Sequence, residues 1–249
     1  MQASPLGPLR VRRVVVSGEK TSGSAGKSPD APLTVVLMHG FGAPGDDLVG
    51  LAPALAVPPG TQIVFPEAPL ALADLTPLPF FGDARAWWPL DMERIQRSIV
   101  RGEQRDLTGE VPEGLASARE KVIAMLDALV AEGTRPERIV LGGFSQGGML
   151  AADVVLRAHA DRAFAGLVIL SGTLVAESEW RPLMPKRKGL SVFQSHGTED
   201  PLLPFAIAET LRDDLTAAGL SVTFQAFEGG HGIPPATKRA LSAWLGKLV

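Results

Sequence analysis

The chain has 249 residues, 45% of them hydrophobic and 20% charged, enough length and apolar content for a buried globular core. Its net charge of −3 argues against a polybasic surface for nucleic acid or anionic membrane. The absence of cysteine excludes disulfides, thiolate metal sites and cysteine nucleophiles.

The N-terminal segment lacks the charged start and long apolar core of a signal peptide, and no stretch reaches the ~18 consecutive apolar residues of a membrane span. A cytoplasmic chain is therefore expected. VRRVVVSG, from Val11, is β-branched and short, and predicts a strand. EKTSGSAGKSPDAP then reads as a mobile hairpin loop. Leu33–Gly40 (LTVVLMHG) is a continuous apolar run of the kind found in strands buried on both faces, and Thr61–Pro69 is another. The stretch from Leu70 to about Pro112 is too long for a plain loop, so it should carry helices of its own or a function. Glu113–Glu132 predicts an amphipathic helix with Leu115, Val122, Met125, Leu126 and Leu129 on its apolar face.

From there strands and helices alternate. RIVLGGF predicts a strand and SQGGMLAADVVLRAHA a helix. Strands are also expected at Ala165–Gly172, Leu190–Gly197 and Ser221–Gly229, with helices at Phe205–Gly219 and over PATKRALSAWLGKLV. This alternation predicts a mostly parallel sheet with helices on both faces, an α/β architecture in one domain over 1–249.

Between the strand RIVLGGF and its helix lies Gly143-Phe144-Ser145-Gln146-Gly147, a G-x-S-x-G sequence. In a sharp strand-to-helix turn, side chains two positions either side of the serine would collide, and glycine removes them. The serine then stands at the C-terminal edge of the sheet beside a helix N-terminus. The competing reading is a glycine-rich turn or phosphate loop, but GGFSQGG supplies neither G-x-x-x-x-G-K-[ST] nor G-x-G-x-x-G after its strand.

A serine hydroxyl needs a base, and the base needs an orienting carboxylate. Of the four histidines, His39 precedes a glycine after a buried strand and suits a loop-holding role. His159 suits a solvated helix face, and His196, closing a strand, suits a structural role. His231, in the glycine-flanked loop FEGGHGIPP, is the best candidate base. Asp200, in HGTEDPLLP, is the candidate carboxylate; taken alone it reads as a turn residue before proline. The order Ser145, Asp200, His231 is that of α/β-hydrolases. The loop HGFG after LTVVLM supplies a second amide for an oxyanion, at Phe41, to pair with that of Gln146.

LMHGFGAPGDDL, GGFSQGGMLA, SHGTEDPLLP and EGGHGIP together resemble the phospholipase/carboxylesterase family of α/β-hydrolases, which includes acyl-protein thioesterases and small bacterial carboxylesterases. The resemblance spans about Leu33 to Pro234. It implies that Ser145, Asp200 and His231 form the triad and that the Phe41 and Gln146 amides form the oxyanion hole. ARAWWPLD is similar to the family's R-x-W segment, which implies an acyl-pocket role for Trp87; Trp87 and Trp88 read equally well as core aromatics. Leu202 and Leu203 read either as pocket walls or as ordinary loop packing. The insertion at about 70–112 departs from the compact family pattern and could act as a small lid.

The expected activity is that of a serine carboxylesterase acting on esters of short to medium acyl chain through an acyl-enzyme. An acyl thioesterase or lysophospholipase with the same triad is the alternative, and a non-catalytic ligand-binding hydrolase fold the remote one. No cofactor or metal is expected: there is no H-E-x-x-H, and the histidines are scattered. The expected partner is a small-molecule ester, with no nucleic acid and no integral membrane association; a homodimer stays open.

Overall fold

A computed structural model describes residues 1–16, 21–22, 31–75, 82–101, 106–159 and 162–249. In chain order the strands are β1 (Ser4–Leu6), β2 (Leu9–Val16), β3 (Thr21–Ser22), β4 (Thr34–Met38), β5 (Gln62–Pro66), β6 (Leu70–Ala71), β7 (Arg85–Ala86), β8 (Ile139–Phe144), β9 (Gly166–Leu170), β10 (Ser191–Gly197) and β11 (Ser221–Phe227). The helices are α1 (Leu72–Leu75), α2 (Met92–Arg101), α3 (Leu115–Ala131), α4 (Gln146–Arg157), α5 (Glu177–Trp180), α6 (Phe205–Ala217) and α7 (Pro235–Leu245).

The main sheet runs β1-β2-β5-β4-β8-β9-β10-β11, with β3 paired to β2. β4, β5, β8, β9, β10 and β11 pair in parallel, whereas β2 joins β5 antiparallel and hairpins with β1. β4 and β5 are buried along their whole length, as their unbroken apolar sequences require in a sheet covered on both sides. Alternate residues feed two cores. Val36, Met38, Val64, Leu141, Leu167 and Ile169 pack with α3, α4 and α6. Val35, Leu37, Ile63, Phe65, Val140 and Val168 pack with α7 and a 3-10 helix at Asp47–Ala54.

β5 lies on one side of β4, and the chain returns to place β8 on the other. The crevice at the C-terminal ends of β4 and β8 is thus a topological switch point, where open α/β sheets bind ligands. Helix α4 leads away from this point with every residue from Gln146 to Leu156 buried. Its one internal charge, Asp153, is matched by Arg119 at 2.6 Å, Arg157 at 2.7 Å and the Trp180 indole N–H at 2.8 Å. Such pairing is what allows a carboxylate inside a core.

The sequence pattern misses the three-residue β1 and the β6–β7 pair, too short for periodicity to register. It also carries α4 past its end: the helix stops at Arg157, so exposed His159 lies beyond it. Of the expected hairpin loop, Thr21–Ser22 pairs with β2; residues 17–20 and 23–30 lie outside the described ones.

Candidate active site

Ser145 links β8 to α4 at φ 53°, ψ −119°, a backbone conformation rarely open to a residue with a side chain. Its N–H donates to the Leu170 carbonyl at 2.8 Å, and its carbonyl accepts from Gly148 at 2.9 Å and Met149 at 3.1 Å. These bonds fix the turn from both sides. The flanking glycines are needed for space. A Cβ at Gly143 would lie 2.5 Å from the Gly147 carbonyl carbon, and one at Gly147 would lie 2.1 Å from the Met38 carbonyl oxygen.

His231 Nδ1 donates to Asp200 Oδ2 at 2.6 Å. Oδ1 of the same carboxylate accepts the backbone N–H groups of Leu202 at 2.9 Å and Leu203 at 3.0 Å. The Asp200 side chain is fully buried, and that burial by itself would raise its pKa. The hydrogen bond and charge of His231, together with the two amides, outweigh burial and hold the carboxyl below the ordinary aspartate value. Glu199, next in sequence, is exposed. Ser145 and His231 open onto one cavity of about 400 Å³, and Phe144 packs on the His231 imidazole at 4.8 Å between centroids. Among the described residues no hydrogen bond joins Ser145 Oγ to His231; such bonds often tighten only when substrate is bound.

Phe41 and Gln146 line the same cavity, and neither backbone N–H donates a hydrogen bond among the described residues. Two unengaged amides beside a serine are donors ready for developing negative charge. The loop carrying Phe41 is strapped down on both flanks. Gly42 N–H donates to the Arg85 carbonyl at 2.9 Å and Arg85 N–H to the Ala43 carbonyl at 3.0 Å. Trp87 Nε1–H donates to the His39 carbonyl at 2.9 Å. The Arg85 guanidinium donates to the Ala68 carbonyl at 2.6 Å. His39 Nε2 accepts from Ala68 N–H at 3.1 Å, so Nδ1 carries the proton and donates to the Gly40 carbonyl at 2.8 Å. Burial lowers the His39 pKa, which keeps this ring neutral in its loop-holding role.

The cavity wall is mostly apolar: Trp88, Leu90, Ile95, Leu107, Met149 and Val175 lie on it, both Leu202 and Leu203 join them, and Asp91, Arg94, Glu110 and Glu113 supply charge, with Arg94 bonded to Glu110 at 2.8 Å. Trp87 does not. The acyl-pocket role expected of Trp87 is therefore corrected: Trp88 faces the cavity, while Trp87 is buried with its indole N–H turned to His39. The two tryptophans lie in the bend just after β7 and both belong to the same core cluster, but only Trp88 reaches the cavity. The Gln146 side chain has a role that the motif does not announce. Its Oε1 accepts from Trp87 N–H at 2.9 Å, and its Nε2 donates to the Trp88 carbonyl at 2.9 Å. A glutamine beside the serine turn is the available signal, but the motif points only to its backbone amide.

The phospholipase/carboxylesterase family model matches residues 24–249. The chain belongs to that family. It is a serine hydrolase of the carboxylic-ester class with the α/β-hydrolase fold. Among relatives of this serine hydrolase, acyl-protein thioesterase 1 of Eremothecium gossypii is 30% identical over 220 residues, covering 85% of this chain and 86% of the relative. Carboxylesterase SOBER1 of Arabidopsis thaliana is 32% identical over 130 residues, 51% of this chain and 56% of the relative. The crystal structure of esterase PE8 superposes with a TM-score of 0.70 at 25% identity over 100% of both chains. No described helix of the hydrolase is long and apolar enough to cross a membrane. Among the described residues, no group of three or more His, Asp or Glu side chains is placed to hold a metal ion.

Proposed function

We propose that this chain hydrolyses carboxylic esters of short to medium acyl chain through an acyl-enzyme on Ser145, with His231 as base and Asp200 as its orienting carboxylate. One observation carries the reading: a serine on a strained strand-to-helix turn and a histidine bonded to a buried aspartate open on one apolar cavity beside two unengaged amides.

The steps follow from these parts. Ser145 Oγ attacks the ester carbonyl carbon while His231 takes its proton. Asp200 holds the imidazole with Nδ1 protonated, leaving Nε2 as the base, and balances the imidazolium that forms. The Phe41 and Gln146 amides receive the oxyanion; losing one such donor typically costs ~10²–10³ in rate. The carbon–oxygen bond then breaks and His231 returns the proton to the leaving alkoxide. Water repeats the sequence on the acyl-enzyme, releasing the carboxylic acid and free Ser145.

Chain length is read from the cavity. At about 400 Å³ it lies near the lower end of the ~300–1,000 Å³ typical of small-ligand sites, which suits a short or medium acyl chain. Of the insertion, Trp88–Asp91, Arg94, Ile95, Leu107 and Glu110–Pro112 supply much of its wall, so we assign these described parts the role of cover over the acyl chain; residues 76–81 and 102–105 lie outside the described ones. The acyl-protein thioesterase relative favours a second use of the same site, on thioesters, since only the leaving group differs. A small molecule, not nucleic acid, is the partner that an acidic chain with an apolar chamber suits, and the cysteine-free sequence fits a cytoplasmic setting.

The test is hydrolysis of p-nitrophenyl esters from C2 to C16 by the wild-type chain and by Ser145→Ala. A maximum at short or medium chains that vanishes in the variant is expected. A maximum at long chains overturns the chain-length reading, and full activity in Ser145→Ala overturns the nucleophile.

A further inference from the structure

A second histidine touches the same carboxylate. His196 lies near the C-terminal end of β10, between β9 and β11, and its side chain is fully buried. Its Nε2 lies 2.9 Å from the Leu203 carbonyl oxygen and 3.3 Å from Asp200 Oδ2. Both neighbours are acceptors only, so this nitrogen must carry a hydrogen. Burial lowers the proton affinity of the ring, and it is neutral at working pH. The charged and titratable groups that act on it are Asp200 and His231; Phe205 packs against it at 6.3 Å between centroids.

The topology explains the value of such a contact. Asp200 lies past the end of β10, where Thr198 and Glu199 N–H still donate to the Phe227 and Gly229 carbonyls at 2.9 and 3.0 Å, whereas His196 is inside the ladder, in register with Ala226 of β11. Leu203 is the link between them: its carbonyl accepts from His196 and its amide donates to Asp200 Oδ1. The imidazole therefore holds the carboxylate from two directions, through the Leu203 peptide at Oδ1 and through the positive end of its own N–H dipole near Oδ2.

We infer that His196 is a positioning residue for this hydrolase, fastening the Asp200 carboxylate to the sheet so that Oδ2 stays aligned with His231 Nδ1. The inference rests on the proposed role of Asp200. It adds that the acid is set by a strand residue as well as by the Leu202 and Leu203 amides of its own loop.

The experiment compares wild type with His196→Leu, His196→Gln, Asp200→Asn and the His196→Leu/Asp200→Asn double variant, with Ser145→Ala as the blank. Each is assayed for p-nitrophenyl ester hydrolysis from pH 5 to 9, with thermal melts to correct for folded fraction. Misplacing the acid by a fraction of an ångström predicts a fall in kcat of roughly ten- to a hundredfold in His196→Leu, with KM little changed. The acid limb of its kcat/KM profile should move to higher pH, because the carboxylate loses a compensating dipole and acts more strongly on His231. His196→Gln, whose amide reaches about as far as Nε2, should recover most of kcat. In the Asp200→Asn background the His196→Leu effect should disappear. An unchanged acid limb with activity falling only in step with folded fraction overturns the inference, as does an undiminished effect in Asp200→Asn. A wild-type chain no faster than the Ser145→Ala blank sinks both this inference and the function it rests on, whereas the preceding outcomes sink this one alone.

Discussion

Gln146 Nε2 donates to the Trp88 carbonyl at 2.9 Å, and through this bond one residue serves two parts of the site. Its backbone amide is one of the two unengaged donors beside Ser145, and its side chain holds the segment that presents Trp88 to the cavity. Replacing it with Met keeps length and backbone but leaves the Trp87 N–H and Trp88 carbonyl unpaired in a buried place. Each unsatisfied group costs about 1–3 kcal/mol. Gln146→Met should therefore lower stability by roughly 2–4 kcal/mol and reduce kcat/KM on every ester. Denaturant melts and a chain-length series check this, and a variant as stable as wild type would show that the bonds are dispensable.

The Asp200 carboxyl gives a prediction with a definite sign. Its pKa in the folded chain is lower than in the unfolded chain, where it is about 3.9. Its ionised form thus contributes stability that is fully present above the unfolded value and is lost as pH falls through the folded one. The melting-temperature gap between wild type and Asp200→Asn should be widest near neutral pH and narrow below about pH 4. At neutral pH the same variant should lose a factor on the order of 10⁴ in kcat through the wrong imidazole tautomer. Exposed Glu199, changed to Gln, should lose little. Reversed effects would mean that the wrong carboxylate has been assigned.

Features with local causes were legible in the sequence. A serine hemmed by Gly143 and Gly147 marks the turn because a Cβ at either position meets backbone, and unbroken apolar runs mark β4 and β5 because both faces are covered. The pairing of His231 with Asp200 was within reach because each lies just past a strand whose end faces the same edge. Relations between segments far apart in sequence were not legible. The bond from Gln146 to Trp88, 58 residues away in sequence, arises only when the fold brings the two segments together, and nothing in the local pattern encodes it. Trp87 and Trp88 show the limit most clearly. Identical residues at adjacent positions share one core, yet only Trp88 reaches the cavity, and composition cannot say which.

Ser145 stores backbone strain, which separates two variants that both remove the hydroxyl. Residues held at sparsely populated angles cost on the order of 1–3 kcal/mol. Ser145→Ala keeps that cost, since alanine still carries a Cβ at φ 53°. Ser145→Gly relieves it, less the ~0.5–1 kcal/mol that glycine loses in chain entropy. The glycine variant should therefore be the more stable of the two by about 1 kcal/mol. Gly147→Ala should fail to fold stably, because its Cβ would press on the Met38 carbonyl. Equilibrium unfolding of the three variants decides this; Ser145→Ala equal to or above Ser145→Gly would mean that the turn carries no strain.

The tryptophan pair separates wall from frame. Trp88 lies on the cavity, so Trp88→Ala should enlarge the acyl chamber and move the preferred p-nitrophenyl ester toward longer chains. Each extra methylene that becomes buried adds about 0.8 kcal/mol of binding, enough to reorder neighbouring members of the series. Trp87 lies outside the cavity, and Trp87→Phe removes the indole N–H bonded to the His39 carbonyl. That bond steadies the loop carrying the Phe41 amide, so its loss should lower kcat for every chain length by a similar factor and leave the preferred length unchanged. The two profiles, normalised to their maxima, provide the measurement. A shifted optimum in Trp87→Phe together with an unshifted one in Trp88→Ala would place the acyl chain on the other side of this segment.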